Sequence, residues 1–262
     1  PSETLLVHTS GSTGTPKPML VEKRRMLNSA KITCDFLGLK PRDAALLCMS
    51  HDYIAGKMMV VRSIERSLKL ISVKPSGHPL SAESLKNAND AAWKQGITFA
   101  AMVPMQVYNT LQVPEERERL THIKHLIIGG GAIDSALEAE LRSLSGDIAI
   151  WSTYGMTETL SHIALRRING KEASEWYQPF DSVKVSQTEE GCLVIDAPLV
   201  CKQPLVTNDI VEIQPYIYNK VCAEGVRFRI KGRKDNVICS GGIKIQIEEV
   251  ENLLKPHLQK PF

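Results

Sequence analysis

Between Leu5 and about Tyr154 short apolar runs alternate with helical patterns, and that alternation limits what the chain can fold into. The runs LLVH, AALLCM, LKLISV, ITFAAM, IKHLII and DIAIWS read as strands, whereas Lys23 to Leu37, Lys57 to Leu68, about Glu83 to Gln95 and Ser135 to Leu144 read as helices. The expectation is an α/β fold: a mostly parallel sheet flanked by helices, with ligands gathered at the carboxyl ends of its strands. After about Pro179 the texture changes to short strands separated by turns, SVKV, GCLVID, DIVEI and VRFRIK, which predicts a small β-rich subdomain. From Gly232 a charged, glycine-bearing stretch leads into an amphipathic helix, Gln246 to Leu254, stopped by Pro256.

Composition narrows the function classes. With 43% hydrophobic residues over 262 positions the chain can bury a substantial core in roughly one or two domains. The 32 basic and 29 acidic residues leave +3, too little for a nucleic-acid or membrane surface without strong clustering. The run Glu115 to Arg119 mixes signs and reads as a solvated face. The six cysteines, Cys34, Cys48, Cys192, Cys201, Cys222 and Cys239, have no paired spacing and mostly sit in apolar stretches, which points to reduced thiols and the cytoplasm. His122 and His125 lack the partners of a metal site. The start has no signal-peptide pattern and looks cut, because Leu5 to His8 already reads as a buried strand.

The segment Thr9, Ser10, Gly11, Ser12, Thr13, Gly14, Thr15, Pro16, Lys17 follows a strand directly. Glycines let successive N–H groups converge on anionic oxygens, hydroxyls add donors and a lysine adds charge, so such a loop can fold around polyphosphate. The composition in isolation reads first as a Ser/Gly linker, but a buried strand running straight into it argues for the loop. It is not a kinase-type P-loop, since Lys17 lies between Pro16 and Pro18 rather than opening a helix.

TSGSTGTPK resembles the first signature of the adenylate-forming superfamily, the acyl-CoA ligases, luciferases and peptide-synthetase adenylation domains, with Pro18 where glycine is usual. The resemblance assigns Thr9 to Gly14 to nucleotide binding and Lys17 to catalysis. A second signature, Tyr154, Gly155, Met156, Thr157, Glu158, Thr159, follows DIAIWS. By the resemblance adenine stacks on Tyr154 beside Gly155, Thr157 contacts phosphate and Glu158 helps hold Mg²⁺, an aromatic face suiting a purine and a carboxylate a hard cation. On their own, Tyr154 reads as core and Glu158 as an exposed capping acid. Gly129, Gly130, Gly131 and Ala132 are similar to the family's loop beside adenine and the acyl group; otherwise they form a strand-to-helix turn capped by Asp134.

Thr207, Asn208, Asp209 is similar to the family's Thr-Gly-Asp, which implies that Asp209 accepts hydrogen bonds from both ribose hydroxyls; asparagine tolerates the left-handed backbone of such a turn. The stretch from Gly232 to Lys244 resembles the boundary between large and small domains. By that likeness Arg233 joins the ribose site, Asp235 is the hinge, and Gly241 and Gly242 line the coenzyme A tunnel. Without it the stretch reads as a solvated turn.

The resemblance therefore implies a large domain over residues 1–232, with an α/β part at 1–178 and a β-rich part at 179–232. Residues 233–262 become the hinge and the start of a mobile, truncated C-terminal domain, because the family's distal lysine has no counterpart and Lys260 lacks its context. It implies an enzyme that joins a small-molecule carboxylic acid to AMP and then to coenzyme A, with ATP and Mg²⁺. The stretches DYIAGKMMVVRSI, SHIALRRING, ASEWYQPF and LVTNDIVEI are most similar to the o-succinylbenzoate–CoA ligases of menaquinone biosynthesis. That likeness makes Lys57, ahead of Arg62, the candidate cation for the acid's second carboxylate, with Gly129 also lining the acyl site; Lys57 reads equally as an exposed lysine at a helix start. A ligase for another aromatic or fatty acid, a peptide-synthetase adenylation domain and a non-catalytic nucleotide-binding module stay open as alternatives.

Overall fold

The computed structural model describes residues 2–8, 18–89, 91–144, 147–218, 223–240 and 243–254. They divide into two compact units, Pro1–Glu175 with Leu199–Lys202, and Trp176–Pro198 with Gln203–Phe262.

The first unit is the expected α/β fold. Strands β1 (Thr4–His8), β2 (Pro18–Glu22), β3 (Ala44–Leu47), β4 (Lys69–Ser72), β5 (Phe99–Met102), β6 (His125–Ile128), β7 (Ala149–Gly155) and β8 (His162–Arg167) alternate with helices α1 (Lys23–Phe36), α2 (Ile54–Arg66), α3 (Ala82–Lys86), α4 (Pro104–Leu111), α5 (Pro114–Thr121) and α6 (Ser135–Ser143). Strand order is β4-β3-β5-β6-β7-β8. Pairs from β4 to β7 are parallel, and β8 returns antiparallel to β7. Every residue of β3 and β5 is buried, as expected for parallel strands covered on both faces. Leu46, Ile71, Ala100, Met102, Leu126, Ile128 and Ile150 from the strands share one core cluster with Val107, Leu120, Leu137 and Leu141 from the helices.

Several features differ from the sequence expectation. The run LLVH does not join the parallel sheet: β1 pairs antiparallel with β2 in a separate two-stranded sheet, up to His8↔Pro18. Among Leu5, Leu6 and Val7 only Val7 is fully buried and Leu6 is 49% exposed, because alternate residues of a strand face opposite ways and only one face is covered. Pro18, which lacks an N–H, is tolerated as the first residue of β2. The helix expected over Glu83 to Gln95 is broken into α3 and a 3-10 turn, Ala91–Gln95. Asn89 interrupts it, its Oδ1 accepting from Ser72 N at 2.6 Å and its Nδ2 donating to Leu70 O at 3.3 Å along β4.

Helix α2 begins three residues before Lys57, whose own amide already bonds Tyr53 O at 3.1 Å. It ends at Arg66 because Ser67 takes φ +52. Lys57 is therefore inside the helix, not at its start. Helix α4, with Pro104 at its first position, and strands β2 and β8 lay outside the sequence expectation.

The second unit contains the short strand β9 (Gln178–Pro179) and a four-stranded antiparallel sheet, β10 (Lys184–Gln187), β11 (Cys192–Asp196), β12 (Leu205–Tyr218) and β13 (Ala223–Arg233). SVKV is shifted, since β10 starts at Lys184, whereas DIVEI and VRFRIK extend into one long hairpin whose register sets Asp209 opposite Arg233. Tyr177 and Phe228 bridge and stack at 5.5 Å between ring centroids, both buried. A second hairpin, β14 (Val237–Ser240) with β15 (Ile243–Gln246), leads into α7 (Ile247–Leu254), one residue shorter than expected. Among the described residues no helix is long and apolar enough to cross a membrane.

Candidate functional site

Parallel strands β6 and β7 end side by side, so the loop Gly129, Gly130, Gly131, Ala132 and the turn that begins at Tyr154 emerge at one sheet edge. Gly129 N donates to Met102 O at 3.1 Å, and a Cβ there would strike the Thr153 hydroxyl. Asp134 caps α6 by accepting from Leu137 N at 2.9 Å. Tyr154 is buried and lies beside Ala164 across the β7–β8 ladder.

After Tyr154 the chain turns back sharply. A Cβ at Gly155 would collide with the Ser161 carbonyl and the His162 Cα, so no larger residue fits without moving β8. Thr157–Thr159 form a 3-10 turn, and the Thr159 hydroxyl ties it together, accepting from Met156 N at 3.0 Å and donating to Ser161 O at 2.6 Å. Leu160 takes φ +66 where the chain reverses. The turn leaves Thr157 buried and Glu158 exposed, with the Glu158 carbonyl accepting from the Cys201 thiol at 3.3 Å.

A magnesium ion keeps several waters and takes one or two carboxylates together with substrate phosphates. Glu158, an exposed carboxylate on a rigid turn, fits that mode of binding. Among the described residues no group of three or more His, Cys, Asp or Glu side chains could hold a metal without such help.

Two of the cations on helix α2, Lys57 and Arg62, sit in different settings. Lys57 folds back on the loop after β3, Nζ donating to His51 O at 2.7 Å and Asp52 O at 2.8 Å. Arg62 is only 2% exposed, and burial lowers its pKa to about 10. Its Nη2 donates to Ser161 Oγ at 2.6 Å and its Nη1 approaches Met59 Sδ at 3.8 Å, while Nε has no partner. No carboxylate among the described residues neutralises it. Ser161 bonds onward to His162 Nδ1 at 3.2 Å, and His162 Nε2 meets Thr33 Oγ1 of α1 at 3.0 Å. Burial, and after it the Arg62 charge, push the His162 pKa well below its usual value. Sequence reasoning missed Thr33, Ser161 and His162; the signal was the spacing Met58, Met59, Arg62, Ser63, which puts the arginine on the buried face of α2.

In the second unit the register of β12 and β13 brings together residues far apart in sequence. Arg233 Nη1 donates to Asp209 Oδ1 at 3.1 Å, and the same guanidinium holds Asp235 at both carboxylate oxygens. Asn208 Nδ2 adds a bond to Asp235 Oδ2 at 3.3 Å, and the Asp209 amide bonds Thr207 Oγ1 at 3.1 Å. The Arg233 guanidinium keeps the Asp235 carboxyl below the usual range. Of the remaining candidates, Thr9, Ser10, Gly11, Ser12, Thr13, Gly14 and Lys17, and likewise Gly241 and Gly242, lie outside the described residues.

A largely parallel sheet with a glycine loop and a tight Tyr-Gly-Met-Thr-Glu turn at its carboxyl edge is a nucleotide-site architecture, and the chain belongs to the AMP-binding enzyme family, whose pattern matches residues 3–197. Among relatives, the 2-succinylbenzoate–CoA ligase of Haemophilus influenzae is 27% identical over 261 residues, covering 95% of this chain and 52% of that protein. An acyl-CoA synthetase (AMP-forming)/AMP-acid ligase II-like protein from Dyadobacter fermentans superposes with a TM-score of 0.75 at 34% identity, over 97% of this chain and 67% of that one. The o-succinylbenzoate coenzyme A synthetase of Bacillus subtilis, solved with ATP and a magnesium ion, shares the fold with a TM-score of 0.69 at 22% identity, over 96% of this chain and 54% of that one. The chain spans about half the length of the curated 2-succinylbenzoate–CoA ligases it matches.

Proposed function

We propose that the chain belongs to a cytoplasmic ligase that activates a carboxylic acid with ATP and Mg²⁺ and passes the acyl group to coenzyme A. The observation that carries this reading is the convergence of Gly129–Ala132 and Tyr154–Glu158 at one sheet edge, beside strand ends suited to a nucleotide. In the first step a carboxylate oxygen attacks the α-phosphorus of ATP and pyrophosphate leaves. In the second the thiol sulfur of coenzyme A loses its proton and attacks the acyl carbon, and AMP leaves. Neither step needs a covalent nucleophile from the protein, only positioning and charge neutralisation. Thr9 to Gly14, Lys17 and Thr157 are assigned to the phosphates, Glu158 to Mg²⁺, Tyr154 and Gly155 to adenine, and Asp209 and Arg233 to ribose. Asp235 is the proposed hinge and Gly241 and Gly242 the proposed tunnel residues.

For the acid, we infer a dicarboxylate, with o-succinylbenzoate as the member supported by the named relatives. Lys57 already holds two backbone carbonyls, whereas Arg62 is a buried cation with no carboxylate. Arg62 therefore replaces Lys57 as the proposed receptor of the second carboxylate. Acid-dependent pyrophosphate exchange on the full-length protein tests both levels. Exchange with o-succinylbenzoate supports the adenylation step and the acid assignment, with coenzyme A-dependent thioester formation reading the second step; exchange only with other acids overturns the acid assignment, and no exchange with any acid overturns the activity.

A further inference from the structure

We propose that Thr33, His162 and Ser161 form a one-way hydrogen-bond relay that positions Arg62 as an anion receptor, with His162 neutral and its proton on Nε2. The receptor role rests on the reading of Arg62 given above; the direction of the relay does not.

The direction is set by assigning the one Thr33 hydroxyl proton to Ser29 O at 3.1 Å, one helical turn back along α1, an acceptor that has no proton to offer in return. Toward His162 Nε2, 3.0 Å away, Thr33 Oγ1 can then only accept, so Nε2 carries the hydrogen. In a neutral imidazole the other nitrogen is a lone-pair acceptor. Nδ1 therefore accepts the Ser161 hydroxyl proton across 3.2 Å. The Ser161 oxygen, having given its proton away, accepts from Arg62 Nη2 at 2.6 Å.

Every donor points the same way, from the guanidinium of α2 through the turn before β8 to the backbone of α1. A protonated His162 would be a donor at both nitrogens and would break this order by meeting a serine hydroxyl that already receives the arginine. Burial and the nearby guanidinium oppose that protonation.

The relay is also tied to the nucleotide turn. Ser161 O takes the Thr159 hydroxyl at 2.6 Å and lies where a Gly155 side chain would be. A buried arginine has many rotamers and loses them only if something fixes its plane. Here Ser161 fixes one end of the guanidinium against the segment that carries Thr157 and Glu158, and leaves Nε unpartnered. The three residues are positioning residues: they act on the acid through Arg62.

Two measurements on the intact protein test this. Nitrogen-15 NMR of His162 reads the tautomer directly, with a protonated Nε2 and a bare Nδ1 expected. A protonated Nδ1, in either the other tautomer or the imidazolium, would overturn the relay. Steady-state kinetics read its effect. His162→Leu and Ser161→Ala are expected to raise KM for o-succinylbenzoate about tenfold, the loss of one well-made charge-assisted bond, with KM for ATP unchanged. His162→Gln, whose amide can accept from Ser161 and donate to Thr33, should recover most of the loss. Equal losses for both substrates, or no recovery with glutamine, would reduce the cluster to a packing role. If o-succinylbenzoate is not a substrate at all, the acid assignment fails separately and the NMR tautomer alone decides the relay.

Discussion

Arg233 holds Asp235 with two parallel bonds, Nε to Oδ1 at 2.9 Å and Nη2 to Oδ2 at 2.7 Å, and with its remaining arm reaches Asp209. The proposed ribose ligand and the proposed hinge thus share one guanidinium. Asp209→Ala should weaken AMP and ATP together, by roughly tenfold each, because ribose is common to both. Calorimetry with the two nucleotides checks this; an unchanged AMP affinity would remove Asp209 from the ribose site.

The hinge role and the ion pair can be separated by two substitutions at one position. Asp235→Pro fixes φ near −65° and also loses the pair with Arg233, whereas Asp235→Asn loses mainly the charge. In the full-length enzyme the proline variant should suppress thioester formation more than adenylation, and the asparagine variant should affect the two half-reactions alike. Equal losses in both half-reactions for proline would leave Asp235 with a structural role only.

Lys17→Ala and Thr13→Ala should weaken ATP more than AMP, since the proposed contacts are to phosphates that AMP lacks. The readout is the ratio of the two dissociation constants on folded variants. An unchanged ratio would argue against the phosphate-loop assignment.

Arg62 offers a prediction in which stability and function move oppositely. Removing an unpaired buried charge for an apolar side chain of similar length relieves desolvation, so Arg62→Met should leave the protein as stable or more stable, by about 1 kcal/mol or more. The same change should raise KM for o-succinylbenzoate at least tenfold, against little change for Lys57→Ala. A loss of stability in Arg62→Met would mean that the charge is compensated within the fold.

His162 gives the pH dependence. Its folded pKa is depressed, so as pH falls through about 6.5 the unfolded chain takes up a proton that the folded chain refuses. Stability is therefore complete above that value and declines below it, by up to about 1.4 kcal/mol per pH unit for this group. His162→Gln should flatten the acid limb of denaturant-midpoint measurements by that slope. His125, also lowered by burial, contributes a further share that the variant leaves in place.

The parts of this fold that could be read from sequence were those with a one-dimensional signature. AALLCM, ITFAAM and IKHLII are largely apolar because both faces of a parallel strand are covered, and such runs stand out without knowing their neighbours. β2 and β8 did not stand out. PMLVE is half exposed, and β8 begins at a reversal made by Leu160 at φ +66, which carries no glycine to announce it. The Thr-Asn-Asp and Arg-Lys-Asp stretches were legible as motifs, but their meeting depends on the β12–β13 register. The setting of Arg62 was hidden for the same reason: its hydrogen-bond acceptor Ser161 is 99 positions away, and no local pattern marks a contact of that range. The resemblance ranks Lys57 first because it puts that residue on the loop after AALLCM at the start of the helix, whereas α2 begins three residues earlier.

The broken helix before Asn89 bears on solubility. Strand β4 ends the sheet, and an outermost strand exposes unpaired amides and carbonyls that can recruit a strand from another molecule. Asn89 meets that row with its own side chain, the carbonyl oxygen on Ser72 N and the amide nitrogen on Leu70 O, while its backbone N–H donates to Ser72 O. One residue thus stands in for a missing neighbouring strand, and the cost is a helix cut short. Loss of that amide would leave a backbone edge free to template intermolecular β-pairing, so the residue that spoils the helical pattern also guards the sheet against aggregation.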